Sequence, residues 1–320
     1  MSAMTLILKG GAMGVAEVIP GVSGGTIAFI AGIYERLIEA IKAFGPGLVG
    51  VHRNAGLAGV WRAIDGTFLT LLLAGMALGV VIGVFGISWL LEHYPPLIWG
   101  FFFGLIVAST LYIGRRIGRW GGGEIALFVL GAILAYGVTL ITPAGGNEAL
   151  WFVFLCGVIA MSALMLPGVS GSFMLLVLGM YQFIIQETLK GIMVAFSFEK
   201  LLILIVFALG CLVGLMTMSR LLSWTFKHYH SLTLAILTGF LVGSLNKVYP
   251  WRNAVDWLRD TGGQVIMAAD GVTPEKVLAE VNVLPSAYTG DPMVLGVVLT
   301  CLAGFLLVFV LDQVDAARDV

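Results

Sequence analysis

The sequence predicts an all-α polytopic membrane protein made of two inverted repeats, each a broken re-entrant helical hairpin plus three transmembrane helices. Two observations lead there. The 320 residues are 59% hydrophobic and only 11% charged, with mean hydropathy +1.03, whereas soluble domains carry roughly 25% charged residues. The pentapeptide Pro-Gly-Val-Ser-Gly occurs twice, at 20–24 and at 167–171, each time inside a long apolar stretch. Pro and Gly stop a helix, and every backbone group freed in hydrocarbon must find a partner. Such breaks persist only where protein or a polar cavity covers them.

In chain order, the first repeat covers 1–149, with a hairpin over 3–41 and spans near 67–91, 97–114 and 124–142. The second covers 150–320, with a hairpin over 150–189 and spans near 200–222, 231–246 and 292–311. The run at 231–246 is short for a span. Each arm of an interrupted stretch has about 17 residues, or about 25 Å, just under the roughly 30 Å hydrocarbon core. Pairs of thin spans fit those lengths as well as hairpins do; the repeat favours hairpins.

An offset of 147 carries Pro20 onto Pro167 and Gly32-Ile33-Tyr34 onto Gly179-Met180-Tyr181. Further along, Ala77-Leu78-Gly79 with Gly83 matches Ala208-Leu209-Gly210 with Gly214, which aligns Arg220 with Trp89. His93-Tyr94 then pairs with His228-Tyr229, Gly104 with Gly239 and Ser109 with Ser244. Three spans per half is an odd number, so duplicated halves lie upside down relative to each other. Charge agrees. Loop 114–123 carries Arg115, Arg116 and Arg119 without an acid, and loop 42–66 carries Lys42, Arg53 and Arg62 against Asp65, which places both in the cytoplasm. Loop 247–291 has four basic against six acidic side chains and falls outside. Both termini are then cytoplasmic, and the two hairpin tips meet near the midplane. Within loop 247–291, Thr273-Pro274-Glu275 reads as an N-cap, an N1 proline and a first-turn acid, predicting a short surface helix to about Val281.

The tips carry the chemistry. Gly21, Gly24 and Gly25 remove side chains, Ser23 and Thr26 add hydroxyls, and Thr26 opens the next helix. The second copy offers Gly168, Ser170, Gly171 and Ser172 before Phe173. Unpaired amides, hydroxyls and a positive helix end suit a phosphate or carboxylate oxygen, and transporters place sites at paired breaks of this kind. The competing reading is a kink for tight helix packing. Glu17 sits in the membrane three residues before Pro20, while the second copy has Leu164 there. It either takes up a proton to couple transport or holds the loop through backbone amides. Arg36 and Arg220 read as interface anchors near the cytoplasmic side, with Arg36 beside Glu35, or as contacts for a phosphate at the inner leaflet.

These residues also resemble a known family. Met13 through Thr26, continuing through Gly32-Ile33-Tyr34-Glu35-Arg36, is similar to the signature of the bacterial polyprenyl-phosphate transporters, and Leu166 to Tyr181 fits the same pattern. The resemblance covers essentially the whole chain. It implies translocation of undecaprenyl phosphate, the carrier lipid of cell-wall precursors, from the outer to the inner leaflet of the plasma membrane. Alternating access and proton coupling would fit that task. A polyprenyl-phosphate lipid is then the partner.

Other classes fit less well. A small-anion channel or exchanger would use the same helix-end site. A lipid phosphatase needs a nucleophile or metal set, and His52, His93, His228 and His230 form none, so no enzyme, metal or cofactor is expected. Net charge −1 argues against nucleic acid. Cys156, Cys211 and Cys301 lie in apolar runs and read as small core residues. The start of the chain has Lys9 but no small-residue cleavage site, which argues against a removable signal peptide. Tyr34 and Tyr181 read as packing residues, and Trp89, Trp99, Trp120, Trp151 and Trp224 as an interfacial belt.

Overall fold

A computed structural model describes residues 1–19, 22–141, 146–190, 192, 196–257, 264, 265, 267 and 277–316. The chain is mostly helical, as its hydropathy requires. The first arms of the two interrupted stretches are α1 (Ala3–Val18) and α9 (Leu150–Met165), each 16 residues long. The second arms differ from the expectation. Each is a seven-residue helix, α2 (Gly24–Ile30) and α10 (Gly171–Val177), followed by a turn.

Gly32 and Gly179 make those turns, with φ +68° and +70°. The Ile33 amide donates to Ala28 O and the Met180 amide to Leu175 O, while Gly32 and Gly179 donate to Phe29 O and Leu176 O. This helix-ending pattern needs a left-handed residue after the cap, which glycine supplies at least cost. The chain restarts as α3 (Tyr34–Lys42) in the first half. In the second half it restarts as a π-helical segment, Gln182–Lys190, and the bend from α10 measures 117°.

Next comes α4 (Gly47–Ala63), interrupted at Gly56, where a loop was expected. The spans are α5 (Gly66–Ile82), continued by a π turn and α6 (Ser88–His93), then α7 (Pro95–Arg116) and α8 (Gly122–Leu140). The second half supplies α11 (Phe198–His228), α12 (His230–Ser244) and α13 (Val294–Ala316). Among the described residues, four helical runs are long and apolar enough to cross a bilayer, or five if the bent pair counts as one span. The expected spans at 231–246 and 292–311 correspond to shorter apolar helices, His230–Ser244 and Val294–Phe309. Leu73, Leu78, Ile133, Leu209, Leu212, Leu299 and Leu306 stand exposed on these helices, a surface that suits hydrocarbon and not water.

Helix pairing follows the internal repeat. α1 packs along α5 and α9 along α11, while α7 packs on α13 and α8 on α12. Exchanging the halves maps each pair onto its counterpart. Glycines set the spacing. A Cβ on Gly75 would lie 2.2 Å from Ile7 O, and one on Gly79 would lie 2.0 Å from Gly11 O. Gly210 stands likewise against Phe154 O and Gly214 against Val158 O, at 2.1 and 2.4 Å.

Gly75 therefore corresponds to Gly210, and Gly79 to Gly214. That is one helical turn away from the match of Gly79 with Gly210. The corrected register pairs Trp89, not Arg220, with Trp224. Each tryptophan carbonyl contacts the Nδ1 of the histidine four residues on, at 2.9 Å in both halves. Tyr94 and Tyr229 even share their backbone dihedrals, φ −136°, ψ 48° and φ −140°, ψ 48°.

Loop 247–291 departs from the all-α expectation. It holds an antiparallel pair, β1 (Arg252–Trp257) and β2 (Val277–Asn282), with Arg252 opposite Asn282 and Ala254 opposite Glu280. The surface helix expected up to Val281 is absent from 277–281, where β2 runs. Thr273, Pro274 and Glu275 lie outside the described residues. Val277, Val281 and Val255 favour a strand through their branched β-carbons, and 277–282 pairs with 252–257.

Candidate functional site

The two pentapeptides meet. The Gly168 amide donates to Thr26 Oγ1 at 2.9 Å, across 142 positions of sequence. A Cβ on Gly25 would lie 2.6 Å from Leu164 O, so only hydrogen there lets the first tip seat against α9. Tyr34 locks the same junction, its hydroxyl donating to Met165 O. Tyr34 is thus a tie between the halves, which the packing reading of the sequence only approached.

The first tip is closed on itself. Pro20 and the expected site residue Gly21 lie outside the described residues. Ser23 is the N-cap of α2, accepting from the Thr26 amide at 3.3 Å, and both side chains are 1% exposed. The Gly24 amide donates to Glu17 Oε1 at 2.7 Å. A carboxylate from α1 therefore occupies the start of α2, as the loop-holding reading of Glu17 required.

At the other end of α2, Lys9 Nζ donates to Ala31 O at 2.7 Å, and Lys9 is buried. α2 thus lies between an acid at its positive end and a cation at its negative end, both from α1. Such placements contribute about 0.3–1 kcal/mol each, up to ~2 when partly buried. An offset of 147 puts Cys156 and Leu164 at the matching places in the second half. The second tip lacks this clamp.

The second tip is the more open one. Gly168 has φ +85°, and a Cβ there would lie 2.7 Å from Phe240 O. Gly171 sits equally close to Ala160 O, at 2.6 Å. Ser170 and Ser172 are within 3.0 Å of each other through their hydroxyls, and Ser172 is exposed. Beside them a small cavity is lined by Gly168, Val169, Ser170, Phe173, Thr139 and Lys247. Lys247 Nζ stands 5.0 Å from the Phe173 ring centroid.

Two larger apolar cavities flank this tip. One, of about 340 Å³, includes Ala135, Val138, Val158, Val169 and Met174. The other, of about 480 Å³, extends past Leu222, Ile236 and Tyr229. Leu166 and Phe240 line both, and Ala135, Val138 and Val169 also line the small polar cavity. Polar tip and apolar grooves are therefore contiguous.

Neither arginine comes to the tips. Arg36 pairs with Asp65 at 2.6 Å and lies over the Phe68 ring, while Glu35 meets His230 at 3.1 Å instead. Arg220 donates to Met216 O at 2.7 Å and to Phe44 O at 3.2 Å, which holds the end of α3. Both act as anchors here. Lys247 and Arg252 were missed in the sequence, where they read as ordinary loop charges. Lys247 sits in the turn that follows α12 and lines the second tip's small cavity, and the β1–β2 pairing brings Arg252 to Glu280, which Lys247 also reaches.

Comparison with known proteins places this geometry in a family. Residues 13–266 match the family described as VCA0040-like, undecaprenyl phosphate translocase-like. The chain belongs to this family. It is similar to a polyprenyl-phosphate transporter of Vibrio cholerae serotype O1, 41% identical over 275 residues, 86% of this chain and 87% of that one. It is also similar to a polyprenyl-phosphate transporter of Staphylococcus aureus, 32% identical over 271 residues, 78% of this chain and 88% of that one. No solved structure matches the chain significantly. The matched segment contains both pentapeptides, Glu17 and β1, while Lys9 and β2 lie outside it.

Proposed function

We propose that this chain is a transporter that moves a polyprenyl phosphate across the bacterial plasma membrane, from outer to inner leaflet. One observation carries the reading: the two tips touch, and the second opens onto apolar grooves continuous with its polar cavity. A lipid phosphate needs both features. The headgroup requires polar partners in a low-dielectric region, and the isoprenoid tail requires an apolar track beside it. The names of the two relatives support the same substrate class.

In this reading Ser170, Ser172, Gly168 and Gly171 face the headgroup, and Ser23, Gly24, Gly25 and Thr26 form the rigid abutment against which the second tip works. Gly21, outside the described residues, is assigned to the same binding motif. The matched helix pairs and matched glycine contacts support two inverted repeats with re-entrant tips, the architecture through which rocking gives alternating access. Both termini are then cytoplasmic, with β1 and β2 outside. Glu17 is the proton-coupling group, since protonation would remove the charge from the acceptor of the Gly24 amide and weaken that bond at the first tip. Arg36 and Arg220 keep their ties and serve the headgroup only if these open.

Purified protein in liposomes containing a labelled polyprenyl phosphate tests this directly. Transfer of label between leaflets, with no flux of chloride or inorganic phosphate, is the expected result. Inorganic anion flux without lipid transfer would establish the channel alternative instead.

A further inference from the structure

Among the described residues, the loop beyond α12 brings two cations, Lys247 and Arg252, to one carboxylate, Glu280, beside the second tip. Arg252 on β1 and Glu280 on β2 lie on one face of the hairpin, because Glu280 stands opposite Ala254, two residues along. Arg252 Nη1 donates to Glu280 Oε2 at 2.7 Å, and Lys247 Nζ reaches the same oxygen at 3.5 Å. The Arg252 guanidinium lies 4.2 Å over the Trp99 ring, and its side chain is 5% exposed. Its Nε is buried and has no acceptor among the described residues.

Two cations therefore share one carboxylate oxygen, and one of their donors is unused. A purely structural ion pair needs one cation per acid, and a buried excess charge is costly unless something offsets it. Burial pushes the Lys247 amine and the Arg252 guanidinium below their usual values, with Glu280 opposing the shift in both. Among the described residues the surplus is one positive charge with an N–H donor in hand, and Lys247 shares a small cavity with Ser170, whose hydroxyl meets that of Ser172. Planar guanidinium and ammonium groups together fit the oxygens of a phosphate monoester better than any neutral ligand.

We propose that Lys247 and Arg252, with the hydroxyls of Ser170 and Ser172, form the receiving site for a phosphate monoester headgroup, and that Glu280 is the resident counter-ion the phosphate displaces. The inference rests on the lipid-phosphate reading above and locates where the headgroup first binds. The cavity between Lys247 and Ser170 holds only about 10 Å³, roughly the space of one water. That cavity is too small for a headgroup as it stands, and the Glu280 carboxylate holds the two cations that would take a phosphate oxygen. Entry of the headgroup exchanges one anion for another, so the two cations are never left without a counter-ion.

The test uses the full chain in nanodiscs with farnesyl phosphate, inorganic phosphate and farnesol as probes. Lys247→Met and Arg252→Gln remove one charged donor each, and each should weaken farnesyl phosphate about tenfold or more. Lys247→Arg keeps the charge and should stay within about threefold of wild type. Glu280→Gln removes the competing anion and should tighten binding severalfold. Thermal unfolding in detergent identifies any variant that is merely misfolded, and Lys247→Arg and Glu280→Gln then decide the matter.

Wild-type farnesyl phosphate affinity in folded Lys247→Met and Arg252→Gln, with lipid transfer intact in the wild type, would overturn the site and leave the transporter reading standing. Inorganic phosphate binding as tightly as farnesyl phosphate would assign the site to free phosphate and overturn its role as a lipid headgroup site. Failure of the wild type both to bind farnesyl phosphate and to transfer lipid would remove the transporter reading and this inference together.

Discussion

At the residue scale, the two tips differ in who supplies the negative charge. Glu17 gives its carboxylate to the Gly24 amide at the first tip, whereas the second tip faces a cation, Lys247, from the turn after α12. The asymmetry predicts separate phenotypes. Glu17→Gln keeps the side-chain shape and an acceptor oxygen but loses the titration. It should flatten the pH dependence of lipid transfer in liposomes; an unchanged profile would remove Glu17 from coupling. Ser170→Leu fills the polar cavity and should abolish lipid-phosphate binding while the protein still folds. Tyr34→Phe removes only the hydroxyl bond to Met165 O. Because it strands a buried carbonyl, it should cost about 1–3 kcal/mol, read as a lower melting temperature with binding retained.

At the element scale, the short helices α2 and α10 depend on their terminal glycines. Gly32 and Gly179 hold positive φ, so a β-branched residue there would force a conformation that L side chains rarely adopt. Gly32→Val and Gly179→Val should each lower thermal stability and disrupt the tip, whereas Gly47→Ala, in open space at the start of α4, should not. A Gly179→Val protein that melts like wild type would show that this turn is not needed.

Much of this was legible in the sequence, and the failures have physical causes. The pentapeptides, the first arms and the matched Gly-Ile-Tyr and Gly-Met-Tyr triplets were readable because Pro and Gly act locally. That the triplets split each second arm was not, because an apolar run reads the same on either side of one turned glycine. The register of α5 against α11 slipped by one turn because Gly75, Gly79 and Gly83 recur every four residues, so glycine falls on glycine after a shift. The tryptophan–histidine–tyrosine ends resolve it. The helix read as far as Val281 fails over 277–281 because those residues pair as β2. Lys247 and Arg252 were illegible as a site because they converge through a carboxylate on the far strand, Glu280.

At the scale of the whole molecule, the fold sets two broken segments back to back and lines them with glycines against their partner helices. Tight backbone contacts join α1 to α5 and α9 to α11 within the halves, and α7 to α13 and α8 to α12 across them, and the tips touch as well. Topology is open to a direct check. A single cysteine at position 118, in a chain whose native cysteines are replaced, should react with membrane-impermeant reagent only from the cytoplasmic side. Labelling from outside would reverse the assigned orientation.

The central claim is that a lipid phosphate lies with its headgroup at the second tip and its tail in the adjoining apolar grooves. Photocrosslinking with an isoprenoid phosphate that carries a diazirine on its tail, followed by peptide mapping, tests that claim most directly. The account predicts adducts on groove residues such as Val138, Val158, Leu166 and Phe240, lost when inorganic-phosphate-free farnesyl phosphate competes. Adducts spread over the outer faces of α5 and α13, unchanged by competitor, would contradict it.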